Sequence, residues 1–189
     1  TFVLIAADAN GNLVASQAAR DAKAAGLEVI TWTLERSGLL ADGNLIRGAH
    51  GAAAEIGYLP MGGDPFDPAN VKAGTFESIV GTDGIVRRFV AAGGTPTDGV
   101  RGIFEAMNAG DRIARRIIDD TARWTALGIA SVVALVDPEL VILGGGIGTR
   151  PEFIARIEDN LARCLLKPVP VAPSPLENRA ALMGAIAMG

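Results

Sequence analysis

Residues 137–146 read Asp-Pro-Glu-Leu-Val-Ile-Leu-Gly-Gly-Gly, and this stretch decides the fold class. Pro138 restricts the residue before it and cannot continue a helical hydrogen-bond ladder, so it predicts the end of a preceding helix. The four apolar residues 140–143 have the composition of a short strand that is buried on both faces of a sheet. A helix, a buried strand and a glycine turn in succession are typical of an α/β protein.

A long helix is predicted before this strand, beginning near Asp111. Its buried stripe is expected at positions three or four residues apart. These positions are Ile113, Ile117, Thr121, Trp124, Gly128, Val132 and Leu135. After the glycine turn, residues 151–166 predict a helix with a proline at its start, on which Cys164 is expected to be a small core residue. Residues 176–188 predict a terminal helix.

The N-terminal part of the chain also alternates between strand and helix signals. Residues 1–16 contain two apolar runs around an Asn-Gly pair, which favours a β-hairpin. Residues 18–25 are rich in alanine and charge and predict a helix, whereas residues 27–34 are β-branched and aromatic and predict a strand. Further on, Thr75 is expected to cap a helix over residues 75–80.

Composition limits the classes of function. The 189 residues are 49% hydrophobic and 20% charged, which suits one domain with a substantial core. The net charge of -4, with no basic run, argues against this segment gripping nucleic acid. A single cysteine cannot form an intrachain disulfide, which favours a reducing cytoplasm.

No targeting or membrane segment is predicted. No apolar run reaches the roughly 18 residues of a membrane span, and no basic region followed by an apolar stretch marks a secretory signal. The chain begins at Thr1 rather than at a methionine, which leads us to expect a trimmed or incomplete product.

Residues 42–60 read Asp-Gly-Asn-Leu-Ile-Arg-Gly-Ala-His-Gly-Ala-Ala-Ala-Glu-Ile-Gly-Tyr-Leu-Pro. This segment resembles the signature of the ROK family of sugar kinases and sugar-responsive repressors, in which a glycine-rich loop ends in Glu-x-Gly-His. Residues 137–146 resemble the last core strand and nucleotide-side glycine turn of that family, and residues 180–185 its terminal helix. The resemblance implies an actin/hexokinase-like (ribonuclease H-like) C-terminal domain over residues 27–189. Residues 1–26 would then be an N-terminal hairpin and helix remnant, with the N-terminal domain largely absent.

The resemblance also implies a sugar site. Glu55 stands at the family's first sugar ligand, and a carboxylate can accept hydrogen bonds from two adjacent hydroxyl groups; a solvated loop glutamate is the alternative. Glu77 aligns with the second ligand, although a glutamate at a helix start is also favoured by the helix dipole. Tyr58 and His50 belong to the same predicted sugar site, and for His50 a structural role in the loop stays open.

The chain departs from the family pattern at the residues that would form the zinc site. Kinase members usually carry His at the position of Tyr58 and a cysteine-rich segment after it, which together form a structural zinc site. Residues 62–74 contain no cysteine, so no zinc is predicted.

The nucleotide side differs as well. Gly144, Gly145 and Gly146 match the family's nucleotide-side loop. The turn after strand 27–34, however, carries Glu35 where the family is glycine-rich, and a glutamate there would repel phosphate. The family's Asp-x-Gly-Gly-Thr phosphate loop is missing as well.

Asp8 is the candidate catalytic base. In the family's kinases this base is the aspartate of an Asn-Asp-x-Asn motif, which takes a proton from the attacking hydroxyl group. Residues 7–10 read Ala-Asp-Ala-Asn and could be its remnant. The same residues fit the turn of the family's first hairpin, and the following glycine favours that alternative.

Three functions follow. The leading hypothesis is a sugar-sensing effector domain of a ROK-type transcriptional regulator that binds a hexose or derivative, with DNA contacted only through a segment outside this chain. The rival is an ATP-dependent sugar kinase, which would need ATP and Mg²⁺; otherwise no cofactor is expected. A third is a scaffold that dimerises through the helix over residues 111–135. The resemblance implies a homo-oligomer and leaves the sugar unspecified.

Overall fold

The computed structural model describes the backbone of the strand residues 5–7, 13–15, 29–32, 37–41 and 44–46, and residues 49–50 and 52–174 with their side chains. Two compact units are present. The first comprises Thr1–Glu55, Val132–Ile154 and Val169–Gly189, and the second comprises Ile56–Ser131 and Ala155–Pro168. The predicted helices over residues 18–25 and 176–188 lie outside the described residues.

The first unit contains a sheet of five described strands, in the order β5-β4-β3-β6-β7. The strands are β3 (Val29–Trp32), β4 (Ser37–Ala41), β5 (Asn44–Ile46), β6 (Leu140–Leu143) and β7 (Val171–Pro173). β3, β4 and β5 pair antiparallel, whereas β6 pairs parallel with both β3 and β7. Ile30 lies opposite Leu39 on one side and Val141 on the other. The strand predicted over residues 27–34 is therefore confirmed as β3.

A separate pair of strands lies near the start of the chain. β1 (Ile5–Ala7) and β2 (Leu13–Ala15) pair antiparallel, with Ala6 opposite Val14. This pairing agrees with the predicted hairpin. Asp8 and the rest of the connecting turn lie outside the described residues.

The strand that was expected to be buried on both faces is buried on one. In β6, Val141 and Leu143 are buried, whereas Leu140 and Ile142 are partly exposed. Both edges of the strand are paired, one with β3 and the other with β7, and the N–H group of Val141 donates to the carbonyl of Pro170 at 2.9 Å. Side chains alternate between the faces of a strand, so an apolar run alone does not establish burial on both.

The described part of the second unit is helical. Its helices are α1 (Pro68–Ala73), α2 (Glu77–Val80), α3 (Thr82–Ala91), α4 (Gly99–Asn108) and the larger parts of α5 (Arg112–Val136) and α7 (Pro151–Cys164). A short α6 (Gly145–Gly148) belongs to the first unit. The core contains three fully buried phenylalanines, Phe76, Phe89 and Phe104. Burying a side chain of this size stabilises the fold by roughly 1.5–3 kcal/mol.

Helix α5 begins where the sequence predicts. The Asp111 carboxylate accepts the N–H group of Ala114 at 2.8 Å, which satisfies a donor at the helix start. The predicted stripe positions Ile117, Thr121 and Gly128 are buried. Leu135, which was expected in the same stripe, is 79% exposed. The stripe fails there because no described element covers the last turn of the helix.

Two further expectations are wrong. The residue that precedes α2 is Phe76 rather than Thr75, and Phe76 already has helical dihedrals, so Thr75 does not cap the helix. Thr75 is buried, and its carbonyl accepts the hydroxyl group of Ser78 at 2.7 Å. Cys164 is exposed rather than in the core, because α7 ends at this residue.

The α/β class predicted from the alternating signals is confirmed. Within the described ranges, no helix combines the length and apolar character that spanning a bilayer requires.

Candidate functional site

The loop that carries Glu55 has a strained backbone. Ala54 adopts a φ of 64°, in the left-handed region that residues with a β-carbon seldom occupy. The N–H group of Glu55 donates to the carbonyl of Ala52 at 3.3 Å, which closes a turn. Glu55 is half-buried, and His50 is exposed in a turn of the same loop. Strained residues cluster at binding sites, where the surrounding structure fixes them.

Tyr58 belongs to a single 3₁₀ turn, Ile56–Tyr58. Its side chain is largely exposed, and its hydroxyl group donates to the backbone carbonyl of Lys72 at 3.4 Å. Tyr58 therefore links this turn to α1. A tyrosine hydroxyl can also accept a hydrogen bond, so its predicted sugar contact stays a prediction.

Glu77 is the first residue of α2, and three glycines lie close to it. A β-carbon at Gly81 would overlap Oε1 of Glu77. One at Gly57 would lie 3.3 Å from the Glu77 Cβ and 3.5 Å from Oε2, and one at Gly74 would also lie 3.3 Å from the Glu77 Cβ. At Gly81 the main chain therefore lies too close to Glu77 to leave room for a β-carbon, and at Gly57 and Gly74 the space beside Glu77 is tight. We call Gly57, Gly74 and Gly81 the glycine cradle.

One member of the cradle must be glycine for two reasons. Gly74 has a φ of 87° and ends α1, with its N–H group donating to the carbonyl of Asn70 at 2.8 Å. A β-carbon there would also lie 2.5 Å from the carbonyl oxygen of Gly57. Only glycine occupies this backbone region without strain. The crossing of the two loops at Gly57 and Gly74 thus depends on residue 74.

Arginines fix the position of α2 from its C-terminal end. Arg87 donates to the carbonyl of Ser78 at 2.8 Å, and Arg88 donates to the carbonyl of Ile79 at 3.0 Å. Carbonyl groups at a helix C-terminus lack partners within the helix. Guanidinium donors are favourable there, because the helix dipole places negative charge at that end.

Arg88 also ties α3 to α5. It forms an ion pair with Asp120 at 2.8 Å and donates to the hydroxyl group of Thr121. Burial lowers the pKa of the Arg88 guanidinium and Arg87 adds to that shift, whereas the nearby Asp120 opposes it. The hydroxyl group of Thr121 donates in turn to the carbonyl of Ile117 at 2.7 Å. This network holds α2, and with it Glu77, against the long helix.

The segment that would carry the zinc cysteines is organised by its own side chains. Asp64 accepts the N–H group of Phe66 at 2.9 Å, and Asp67 caps α1 by accepting the N–H group of Ala69 at 2.8 Å. Asn70 donates back to the carbonyl of Asp64 at 2.8 Å. These short-range bonds are the local turns that Asp and Asn side chains form.

The predicted nucleotide-side turn lies in the first unit, directly after β6. Gly144 is buried and precedes α6, Gly145 has a φ of 78°, and Gly146 is exposed. The hydroxyl group of Thr149 donates to the carbonyl of Gly145 at 3.0 Å. Glycine at residue 145 is therefore required by the turn itself. Asp8 and Glu35 lie outside the described residues.

The sequence singled out Glu77 but missed the residues that position it. Gly57, Gly74 and Gly81 were visible only as scattered glycines, because their contacts join residues up to 20 apart in the chain. No sequence pattern indicated a role for Arg88, because its partner Asp120 lies on a different helix. The glycines on either side of Glu77 in the sequence were the only pattern that could have indicated this close packing.

Comparisons with known proteins agree on one family. Residues 2–189 match the model of the ROK family. The bifunctional enzyme NanE/NanK of Brucella melitensis is 33% identical over 124 residues, which cover 66% of this chain and 22% of that protein. The beta-glucoside kinase of Listeria monocytogenes is 28% identical over 155 residues, which cover 79% of this chain and 51% of the kinase. The chain thus spans about half the length of that kinase.

Solved structures give the same fold. The ROK hexokinase of Thermus thermophilus superimposes with a TM-score of 0.72 at 26% identity, over 86% of this chain and 56% of that one. The ROK family glucokinase of Streptomyces griseus, solved with glucose and AMPPNP, gives 0.69 at 25% identity, over 86% and 60%. A ROK family transcriptional regulator homologous to the Escherichia coli MLC protein gives 0.61 at 21% identity, over 85% and 44%, a likeness of fold alone. The actin/hexokinase-like fold expected from the sequence is confirmed.

Proposed function

Because the chain belongs to the ROK family, we propose that it is a sugar-sensing effector domain of a ROK-type transcriptional regulator. It binds a hexose or a hexose derivative through the carboxylates of Glu55 and Glu77. Bound sugar favours one of two conformations of the intact protein and so biases an attached DNA-binding segment, as a ligand with different affinities for two states must do.

The observation that carries the proposal is the glycine cradle around Glu77. An ordinary glutamate at a helix start gains from the helix dipole without close neighbours. Here the main chain at Gly57 and Gly81 contacts the side chain, and Arg88 anchors the helix that bears it. A carboxylate fixed in advance loses less side-chain entropy when it binds, so more of the hydrogen-bond energy appears as affinity. This arrangement favours a ligand role over a solvated one.

Loss of the zinc segment favours the regulator over the kinase. Asp64, Asp67 and Asn70 organise by hydrogen bonds the loop that kinase members are expected to organise with zinc. The same loop lies against α2, since a β-carbon at Gly62 would lie 2.7 Å from Cγ1 of Ile79. The loop thus contacts α2 through its own residues, and we propose that the protein contains no structural zinc.

An ATP-dependent sugar kinase is the second candidate, and the names of the relatives favour it. The beta-glucoside kinase and the bifunctional NanE/NanK enzyme match the chain at 28% and 33% identity. Under this candidate Gly144, Gly145 and Gly146 face a nucleotide, and Asp8 takes the proton of the attacking hydroxyl group. ATP and Mg²⁺ would then be required.

Two measurements separate the candidates. The protein is incubated with ATP, Mg²⁺ and a panel of hexoses and N-acetylhexosamines, and ADP release is followed. The regulator proposal predicts no sugar-dependent ADP release together with a sugar-dependent rise in the melting temperature, since a ligand at 100 times its Kd stabilises the fold by about 2.7 kcal/mol. Sugar-dependent ADP release would establish the kinase instead.

Matched variants test the pocket in the same assay. Glu55→Gln removes one predicted carboxylate ligand, and Glu105→Gln removes an exposed carboxylate on α4 that the proposal does not use. We expect the sugar-dependent shift to shrink in the first variant and to persist in the second. Elemental analysis of the purified protein is expected to find zinc well below one atom per chain.

A further inference from the structure

The second unit contains a charged groove between α5 and α7, with a cavity volume of about 630 Å³. Six arginines line it: Arg112, Arg115, Arg116, Arg123, Arg156 and Arg163. The first four lie on α5 and the last two on α7. We call this cavity the arginine groove. It is separate in sequence from every residue of the proposed sugar site.

Helical spacing explains why the sequence shows no basic run. Arg112, Arg116 and Arg123 are four and seven residues apart, and Arg156 and Arg163 are seven apart, so each set lies on one helix face. Aspartates occur between them in the chain, and the total charge is -4. The positive charge is therefore concentrated by folding rather than by composition.

Ion pairs leave most of this positive charge available. Arg156 pairs with Asp119 at 2.6 Å across the groove. Asp120, which also lines the groove, pairs with Arg88, which does not line it. Within residues 49–50 and 52–174, no ion pair involves Arg115, Arg116 or their neighbours Arg112 and Arg163. The six arginines of the lining outnumber its three aspartates, so the arginines that form no ion pair repel one another, and an anion between them relieves that repulsion.

Two acceptors in the lining that form none of these ion pairs limit the kind of anion. Asp159 lines the groove, and so does Asn160, whose amide group donates to the carbonyl of Arg156 at 2.7 Å. That bond leaves the amide oxygen of Asn160 able to accept. Arginine forks match phosphate oxygens, whereas carboxylate and amide oxygens match hydroxyl groups. The lining thus provides partners for both halves of a phosphorylated polyol.

The size and charge pattern favour a small molecule over a polymer. Pockets for small ligands measure about 300–1,000 Å³, and the groove falls within that range. A continuous phosphate backbone would run past Asp159, whose carboxylate would repel it. We propose that the arginine groove binds a small phosphorylated molecule carrying at least two negative charges and hydroxyl groups.

The test measures binding of pyrophosphate and of glucose 1,6-bisphosphate to the whole chain by calorimetry, at low and at moderate KCl. We expect saturable binding at one site per chain that weakens with salt, because screening reduces the attraction between exposed charges. The double variant Arg115→Gln/Arg116→Gln should weaken it at least tenfold. Binding should persist in Glu77→Gln, which makes failure here distinguishable from failure of the proposed sugar site.

Arg101→Gln is the control for loss of an arginine outside the groove. Arg101 is exposed on α4 and pairs with Asp98 at 2.8 Å, outside the groove. The Arg101→Gln variant removes one positive charge from the chain. Its affinity for the probes should stay within about twofold of the wild type, since distant exposed charges are largely screened. Equal weakening in both variants would show a nonspecific charge effect and overturn the proposal.

Other occupants of the groove would also overturn it. Absence of saturable binding by either probe to the wild-type chain contradicts a small-molecule site. Binding of a duplex DNA oligonucleotide that depends on Arg115 and Arg116, without pyrophosphate binding, would assign the groove to nucleic acid. A change in oligomeric state on sedimentation of the double variant, again without probe binding, would assign it to a subunit interface.

Discussion

The carboxylate of Glu77 lies against the main chain of Gly81, so close that a β-carbon at residue 81 would overlap Oε1. Gly81 has a φ of -70° and a ψ of 158°, dihedrals that any residue adopts. The requirement for glycine at this position therefore comes from contact with Glu77 and its carbonyl rather than from backbone strain.

Gly81→Ala should weaken sugar binding by displacing the Glu77 carboxylate. A hydrogen bond to a charged group contributes about 1.5–3 kcal/mol, so its loss corresponds to roughly 10–100-fold in Kd. Titration calorimetry with the sugar panel measures the change. Gly110→Ala serves as the control, because Gly110 has a φ of 96° and no atom near its β-carbon position. That variant should lose stability and keep its sugar affinity.

Gly74→Ala should destabilise the fold by about 2–4 kcal/mol, combining left-handed backbone strain with steric overlap. The overlap is with the carbonyl oxygen of Gly57. Urea unfolding measures the free energy. Gly99→Ala isolates the backbone component, since Gly99 has a φ of 58° and an unoccupied β-carbon position. Equal losses in the two variants would show that the crossing at Gly57 adds nothing.

Gly128→Ala should lower stability, although glycine-to-alanine changes inside helices normally raise it by about 1 kcal/mol. A β-carbon at Gly128 would lie 2.5 Å from Cζ of the fully buried Phe76. Overpacking of this kind costs about 1–3 kcal/mol. The sign of the change in melting temperature tests this prediction. A rise would contradict it and would mean that the Phe76 ring moves aside at little cost.

Arg88→Met should destabilise the fold by about 2 kcal/mol, because it removes hydrogen bonds to two elements and leaves a carboxylate without its partner. Those partners are the carbonyl of Ile79 and the side chains of Asp120 and Thr121. Arg87→Met removes one exposed bond to Ser78 and should cost under about 1 kcal/mol. Urea midpoints of the two variants give the comparison, and similar midpoints would argue against the network.

The sequence predicted those parts of the fold that depend on local signals. The helix start near Asp111 and the strand of residues 140–143 were located correctly, because the signals for helix starts and short strands act over a few residues. Leu135 and Cys164 were misplaced, since their burial depends on whether another element covers the end of a helix.

The site was predictable only as a set of candidate ligands. Glu77 followed from resemblance, but the cradle depends on contacts of Gly57 and Gly81 that arise on folding. The arginine groove was not predicted for the same reason, because its charged residues come from two helices and alternate with aspartates. Long-range contacts carry no periodic signature in one sequence.

Calorimetric titration of the sugar panel into wild-type protein, Glu77→Gln and Glu105→Gln tests the central claim that Glu77 is a sugar ligand. The change to glutamine keeps the size of the side chain and removes its charge, and Glu105 is an exposed carboxylate on α4. We expect saturable binding of at least one sugar to the wild type, about tenfold or greater weakening in Glu77→Gln, and unchanged affinity in Glu105→Gln. Equal affinities in all three proteins, or no saturable binding of any sugar to the wild type, would contradict the account.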